Sequence, residues 1–265
     1  MNARRKLFFF GKGGAPVLWT PSQIHSDQLL SWVDSSSLEN TLDDDRVVKL
    51  EDLTGNGNGF VQNSAALQYN YDSLKKCIVS DGSKYMLGEK PFGNSQRIAF
   101  FQVNQFLGTD VAFQYCVTTV AADLRYFVRK RAQGNVFQFE STAGGSGDDY
   151  ANTPGDNLHH IFEQQKNDSI SEAFIDSIKT GQSNIDHNIN NPRWILGAFQ
   201  IRNDPDPRHV GDFNEAIVLD QDPDLATTQK IQGYLAWKWD NINPANNLVA
   251  KLPANHPYKN GAPTL

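Results

Sequence analysis

The chain has 265 residues, 39% hydrophobic and 20% charged, which excludes a disordered polymer and leaves enough apolar mass for a sizeable core. A formal charge of −6 disfavours non-specific contact with nucleic acid or anionic membrane, and no stretch approaches the roughly 18–20 apolar residues of a membrane span. With 16 Phe, 8 Tyr and 5 Trp beside 20 Gly and 12 Pro, the composition suits short strands joined by many turns.

Residues 1–21 read as an arm. Arg4, Arg5, Lys6 and Lys12 flank the apolar run Leu7-Phe8-Phe9-Phe10, which stops at Gly11. A secretory signal needs an apolar region of roughly 7–15 residues. The run is therefore read as an unprocessed arm, with Arg4, Arg5, Lys6, Phe8, Phe9, Phe10 and Lys12 as candidate partner-binding residues. Residues 22–265 read as one folded domain. Cys77 and Cys116 are expected to be buried thiols in strands; their number rules out a disulfide scaffold and makes a reducing compartment the default.

Beyond the arm, residues 29–34 are predicted as a first strand and 47–50 as a second, with the acidic run Asp43-Asp44-Asp45 in the loop between them. The cluster Asp52-Leu53-Thr54-Gly55-Asn56-Gly57-Asn58-Gly59 supplies several positive-φ positions and predicts a turn. Short strands follow at 60–62, 77–79 and 85–87, then longer ones at 97–107 and 111–120. Segments 126–128 and 136–139 predict a hairpin, and 143–155 a glycine-rich loop. Strands are predicted on either side of a turn at 179–181, at 194–201 and at 213–219. Asp222-Pro223-Asp224-Leu225 to Trp239 predicts a helix, with an Asp start and apolar residues at Leu225, Ile231, Leu235 and Trp239. Pro244 stops it, and 252–263 reads as an extended tail. Closely spaced strands without interleaved helices argue for an all-β sandwich.

Four segments carry a family resemblance. They are Leu30-Ser31-Trp32-Val33-Asp34-Ser35, then Leu53-Thr54-Gly55-Asn56-Gly57-Asn58, then Val79 to Leu87 around Asp81-Gly82. The fourth is Phe213 to Leu219 leading into Ile231-Gln232-Gly233-Tyr234-Leu235-Ala236-Trp237-Lys238-Trp239 and on to Leu252 to Lys259. In this order they resemble the concanavalin A-like, laminin-G-like jelly-roll domains of tailed-phage and marine bacterial proteins. The resemblance implies a jelly-roll sandwich of two antiparallel sheets with one C-terminal helix. It also implies structural roles for Trp237, Trp239 and His256. Asp240 stands where the family carries a helix-capping glycine, and 241–251 reads as an insertion. The strands from 97 to 201 carry no family motif.

Glycosidases of this broad superfamily place carboxylates two apart on one strand, where they share a face; a retaining pair sits about 5–5.5 Å apart. No such run is present. Glu172 and Asp176 are four apart, Asp212 and Glu215 are three apart, and Glu215 matches the acidic position of the family's last strand. Serine-hydrolase, zinc-protease and P-loop motifs are missing as well. The expectation is a protein that is not an enzyme. His159 and His160 are read as surface residues on opposite faces rather than ligands of one metal. The loop 147–160 is similar to the metal loop of legume lectins. That likeness implies Ca²⁺ ligands at Asp148, Asn152 and Asp156 with the Tyr150 carbonyl, although Ser146 stands where the lectins carry glutamate. A solvated acidic turn is the alternative.

The resemblance and the arm together imply a non-catalytic virion protein of a tailed phage, a capsid decoration or tail-associated surface protein assembled in the host cytoplasm. Its partners are then phage capsid or tail proteins in a homo-oligomeric assembly, without nucleic acid or membrane. The alternative is a glycan-binding adhesin that recognises host surface polysaccharide through loops at the sandwich rim.

Overall fold

A computed structural model describes residues 17–40, 42–43, 45–89, 97–108, 111–113, 125–131, 135–143, 146–167, 169–184, 195–201, 204–207 and 209–265. Arg4, Arg5, Lys6, Phe8, Phe9, Phe10 and Lys12 lie outside the described residues, as do Cys116 and Trp194.

In chain order the first strands are β1 (Leu29–Asp34), β2 (Leu42–Asp43), β3 (Arg46–Val47), β4 (Lys49–Leu50), β5 (Phe60–Val61), β6 (Tyr69–Asp72) and β7 (Cys77–Asp81). Next come β8 (Met86–Gly88), β9 (Ile98–Gln105), β10 (Val111–Phe113), β11 (Arg125–Arg131), β12 (Val136–Ala143), β13 (Ser146–Pro154) and β14 (His159–Asn167). The last are β15 (Ile170–Ile175), β16 (Ile178–Ser183), β17 (Ile195–Leu196), β18 (Ala198–Ile201), β19 (Asp204–Pro207) and β20 (Val210–Leu219). Helix α1 (Leu225–Ile242) and the short α2 (Leu248–Lys251) close the fold.

The large sheet runs β16-β15-β14-β9-β20-β7-β6-β3-β2, and β1 also pairs with β20. One edge of β20 serves two neighbours: Val210 to Phe213 pair with β7, and Glu215 to Leu219 pair with β1. The register against β9 shifts between Phe213 and Glu215, at the same fork. Two four-stranded sheets, β10-β11-β12-β13 and β17-β8-β5-β4, deliver side chains to the inner face of the large one. The result is an antiparallel jelly-roll sandwich with its helix on the outer face.

Strand periodicity sets these layers. Ile98 and Phe100 of β9 join Phe137, Phe139 and Phe162 in the sandwich core, where the Phe137 and Phe162 rings meet edge-on at 5.2 Å. The alternate residues Ala99, Phe101 and Val103 face the other way and pack with Ile231, Leu235 and Trp239 of α1. Covering both faces explains why 97–107 reads as nearly continuous apolar sequence. Asp224 caps α1 by accepting from Thr227 N at 2.7 Å. Asp240 does not end the helix; its two carboxylate oxygens accept from Leu248 N and Val249 N at 2.7 and 2.8 Å, so it caps α2. The segment read as an insertion thus contains a further helical turn, held by the residue that stands where the resemblance places a glycine.

Residues 17–19 meet residues 263–265. Leu18 bridges Thr264, Trp19 N donates to Pro263 O at 2.9 Å, and Leu265 N donates to Val17 O at 3.0 Å. Trp19 is buried edge-on against Tyr234, so residues 17–21 belong to the packed domain.

Several local expectations are corrected. Segment 47–50 is two strands, because Val47 pairs with Tyr69 in the large sheet while Lys49 and Leu50 pair with β5. Most of the 143–155 region is strand rather than loop; β13 pairs along the whole of β12. The turn placed at 179–181 lies instead at Asp176 and Ser177, whose φ values of 51° and 69° suit a tight two-residue hairpin. Segment 194–201 is broken at Gly197, where φ is +81° and an added Cβ would strike the Tyr69 hydroxyl.

Candidate functional site

Three polar assemblies lie about the large sheet, and the third of them opens to solvent. Around Glu215, Trp32 Nε1 and Tyr234 OH donate to Oε1 at 2.6 and 3.0 Å, while Trp239 Nε1 and Lys238 Nζ donate to Oε2 at 2.7 and 2.6 Å. Lys238 also meets Asp34 at 2.8 Å. Burial pushes the Glu215 carboxyl up against the pull of the Lys238 ammonium. Every group here is satisfied by another, and Glu215 has no exposed surface. This assembly locks β1, β20 and α1 together.

The second surrounds the two histidines. His159 lies 3.7 Å from Asp212, which also takes Lys75 at 3.2 Å, and its own carbonyl accepts from Lys251. His160 faces the opposite way, held between Asp176 at 2.6 Å and Asp156 at 2.8 Å. The opposite facing matches expectation. The surface reading does not, because both rings are buried by the strands and turns packed on them.

Asp156, one of the residues implied for calcium, is thus engaged by His160 and by Leu158 N. Asp148, Tyr150 and Asn152 lie on β13, paired with Ser141, Phe139 and Gln138. An extended strand rises about 3.3 Å per residue, which sets Asp148 and the far end of β13 about 20 Å apart, whereas oxygen ligands of one Ca²⁺ lie within 2.3–2.6 Å of it. The strand therefore does not bring Asp148 together with Asp156. Among the described residues no group of three or more His, Cys, Asp or Glu is arranged to hold a metal ion.

The third assembly opens to solvent. A cleft of about 410 Å³ lies between the first turns of α1, strands β14 and β15, and the C-terminal tail. Its floor is amide. Strand alternation turns Glu163 and Gln165 toward the helix, where Thr228 and Gln232 stand one helical turn apart on the facing side. Gln165 and Gln232 both donate through Nε2 to the Glu163 carboxylate beneath them, Gln232 at 2.6 Å, and Gln165 reaches Thr228 Oγ1 at 3.3 Å. His256 closes the row. Tyr258 N donates to its Nδ1 at 3.3 Å, which leaves Nε2 to donate to Gln232 Oε1 at 3.1 Å.

Burial pushes Glu163 up to about 8, opposed by its two amide donors and assisted by the charges of Glu172 and Asp222. Burial and the nearby Lys259 hold His256 below its ordinary value, so its ring is neutral at pH 7. The walls combine Phe174, Pro223, Leu225 and Pro253 with Glu172, Asp222, Gln229 and Asn255. Leu225 is 72% exposed, and the Ser177 hydroxyl is buried in the wall without a partner. The structural role expected for His256 thus coexists with a place on the rim of a cleft. Sequence reading missed the site because its residues come from four segments. The one signal available was a strand placing Glu163 and Gln165 on a buried face.

No protein-family model matches this chain, and no curated protein matches it by sequence. Solved structures do match. Domain 4 of AbnA, a GH43 extracellular arabinanase from Geobacillus stearothermophilus in complex with arabinotriose, superposes with a TM-score of 0.56 at 12% identity, covering 74% of this chain and 94% of that one. The shared architecture is the jelly-roll sandwich. The binding domain of botulinum neurotoxin DC in complex with SialylT gives 0.54 at 8% identity, covering 82% of this chain and 52% of that one. A GH54 α-L-arabinofuranosidase soaked with an arabinofuranoside also gives 0.54, at 10% identity, with 84% and 62% covered. At these identities the likeness concerns architecture, and it carries nothing about a phage or marine source.

Proposed function

We propose that this chain is a non-catalytic glycan-binding domain that holds a saccharide in the cleft between α1 and β14–β15. The observation that carries the reading is the amide floor. Gln165 and Gln232 are fixed in one orientation by Glu163, Thr228 and His256. Saccharide recognition needs preoriented planar polar groups for paired hydroxyls and an apolar surface for the C–H face of the ring. Phe174, Pro223 and Leu225 supply the second requirement. Support of another kind comes from two structures of the same fold, described as complexes with arabinotriose and SialylT.

Binding is preferred to catalysis on a physical ground. A general acid working at neutral pH needs a raised carboxyl that reaches its substrate. Glu163 and Glu215 are both raised by burial, yet both are sealed, at 1% and 0% exposure. The virion role draws on the family resemblance, the short apolar run, the two cysteines and the arm, whose candidate partner-binding residues lie outside the described part of the chain; the solved structures of this fold support the glycan-binding alternative, which is carried forward.

The test is an array of plant, bacterial and animal glycans probed with the full chain and with Gln229→Trp, which fills the cleft from its rim. We expect selective binding that the variant loses while its melting temperature stays unchanged. Binding of no glycan, or equal binding by the variant, would overturn the assignment.

A further inference from the structure

The cleft also carries a selection rule, which rests on the glycan-binding reading above. Proteins recognise an anionic sugar with a cation, with free N–H donors, or with an unoccupied helix N-terminus. Among the described residues lining this cleft there is neither a cation nor an unoccupied helix N-terminus, and the uncharged donors on its walls are the Gln229 and Asn255 amides and the Ser177 hydroxyl. Its ionisable lining is Glu172, Asp222 and His256, with no Lys or Arg. Lys179 stands behind Glu172 at 2.5 Å and is taken up by that carboxylate and by Gln182. The floor amides Gln165 and Gln232 aim their N–H groups down at Glu163, away from an incoming ligand. The start of α1 borders the cleft, but Asp224 already occupies it, accepting from Thr227 N through its side chain and from Thr228 N through its carbonyl.

We infer that the cleft selects neutral saccharides and rejects those bearing a carboxylate or sulfate, through Glu172, Asp222 and the downward-facing amides of Gln165 and Gln232. A ligand carboxylate entering here meets the Glu172 and Asp222 carboxylates, with no cation on the lining to offset them. A neutral sugar meets acceptors, which its hydroxyls satisfy as donors. Glu172 and Asp222 are then specificity-determining residues, active against the wrong ligand as much as for the right one.

The decisive experiment is calorimetric titration of the full chain at pH 7 with matched pairs of oligosaccharides that differ only in a terminal sialic or uronic acid. We expect the acidic member to bind at least about tenfold more weakly, a gap that shrinks as added salt screens the repulsion. Glu172→Gln combined with Asp222→Asn should narrow the gap by improving the acidic member; the salt series gives the same reading without any substitution. Equal or tighter binding of the acidic member, lost in Gln229→Trp, would overturn the charge rule and leave the cleft standing as the site. Failure of every neutral and acidic glycan to bind would overturn both.

Discussion

Gln232 on α1 donates to the Glu163 carboxylate on β14 at 2.6 Å, and both side chains are buried, at 3% and 1% exposure. The bond joins helix to sheet beneath the cleft and makes the joint sensitive to pH. Glu163 titrates near 8 in the folded chain against an ordinary 4.5. Between those values the folded chain keeps a proton that the unfolded chain has released, so stability from this group is complete below about 4.5 and is lost as pH rises through 8. Glu163→Gln removes the titration. Its melting temperature should stay close to that of the natural chain at pH 4 and exceed it by a margin that grows up to about pH 8. Parallel melting curves across that range would count against the assignment.

The Glu215 assembly predicts the largest single loss. Removing the carboxylate strands two indole N–H groups and a phenol in a closed space and leaves the Lys238 ammonium with Asp34 as its one remaining carboxylate. Breaking a buried charged pair from one side costs about 3–5 kcal/mol. Glu215→Ala should lose that much in urea unfolding, and Glu215→Gln distinctly less, because it keeps the shape and one acceptor oxygen. A loss below about 1 kcal/mol for the alanine variant would contradict the role given to this group.

Gly233 sets helix propensity against packing. Alanine in the interior of a helix is worth about 1 kcal/mol over glycine. Here the added Cβ would lie 2.6 Å from the Tyr258 Cβ, which must move. Overpacking of that kind costs about 1–3 kcal/mol, so Gly233→Ala should destabilise slightly or come out level. The sharper readout is hydrogen exchange in residues 253–259, expected to speed up as the tail lifts and the Trp237 bond to Tyr258 O, now 2.7 Å, is broken. Unchanged exchange there would show that Tyr258 adjusts in place.

Asp240 supplies a test confined to one helix end. Asp240→Ala removes both side-chain acceptors at the start of α2, a cap loss of about 0.5–2 kcal/mol. Asp240→Asn keeps one acceptor and should recover about half. Equal losses for the two would mean that charge rather than hydrogen bonding holds α2.

Much of the architecture could be read from the sequence where a single physical requirement spoke. The alternation that exposes one strand face and the Asp start of the helix led directly to β1, β9, β11–β12, β20 and α1. Reading failed where two requirements overlapped. Val47 and Lys49 belong to different sheets, and no local pattern marks the chain's crossing at Val48. The glycines and acids of 143–155 suggested a loop because pairing with β12 is a long-range fact that composition does not encode. The Asp176-Ser177 turn lacks the glycine that positive φ usually recruits. The cleft was the least legible feature of all. Its polar residues each look ordinary alone, and only the packing of α1 on β14 makes them one surface.

The meeting of Val17 and Trp19 with Pro263 to Leu265 has a mechanical consequence. Tension applied between those two segments would peel their bridge apart one hydrogen bond at a time, because antiparallel neighbours pulled from the same side unzip rather than shear. The load would enter and leave the domain at one point and bypass the cleft. A copy tethered through those residues would therefore yield first at the bridge, ahead of the sheets behind it.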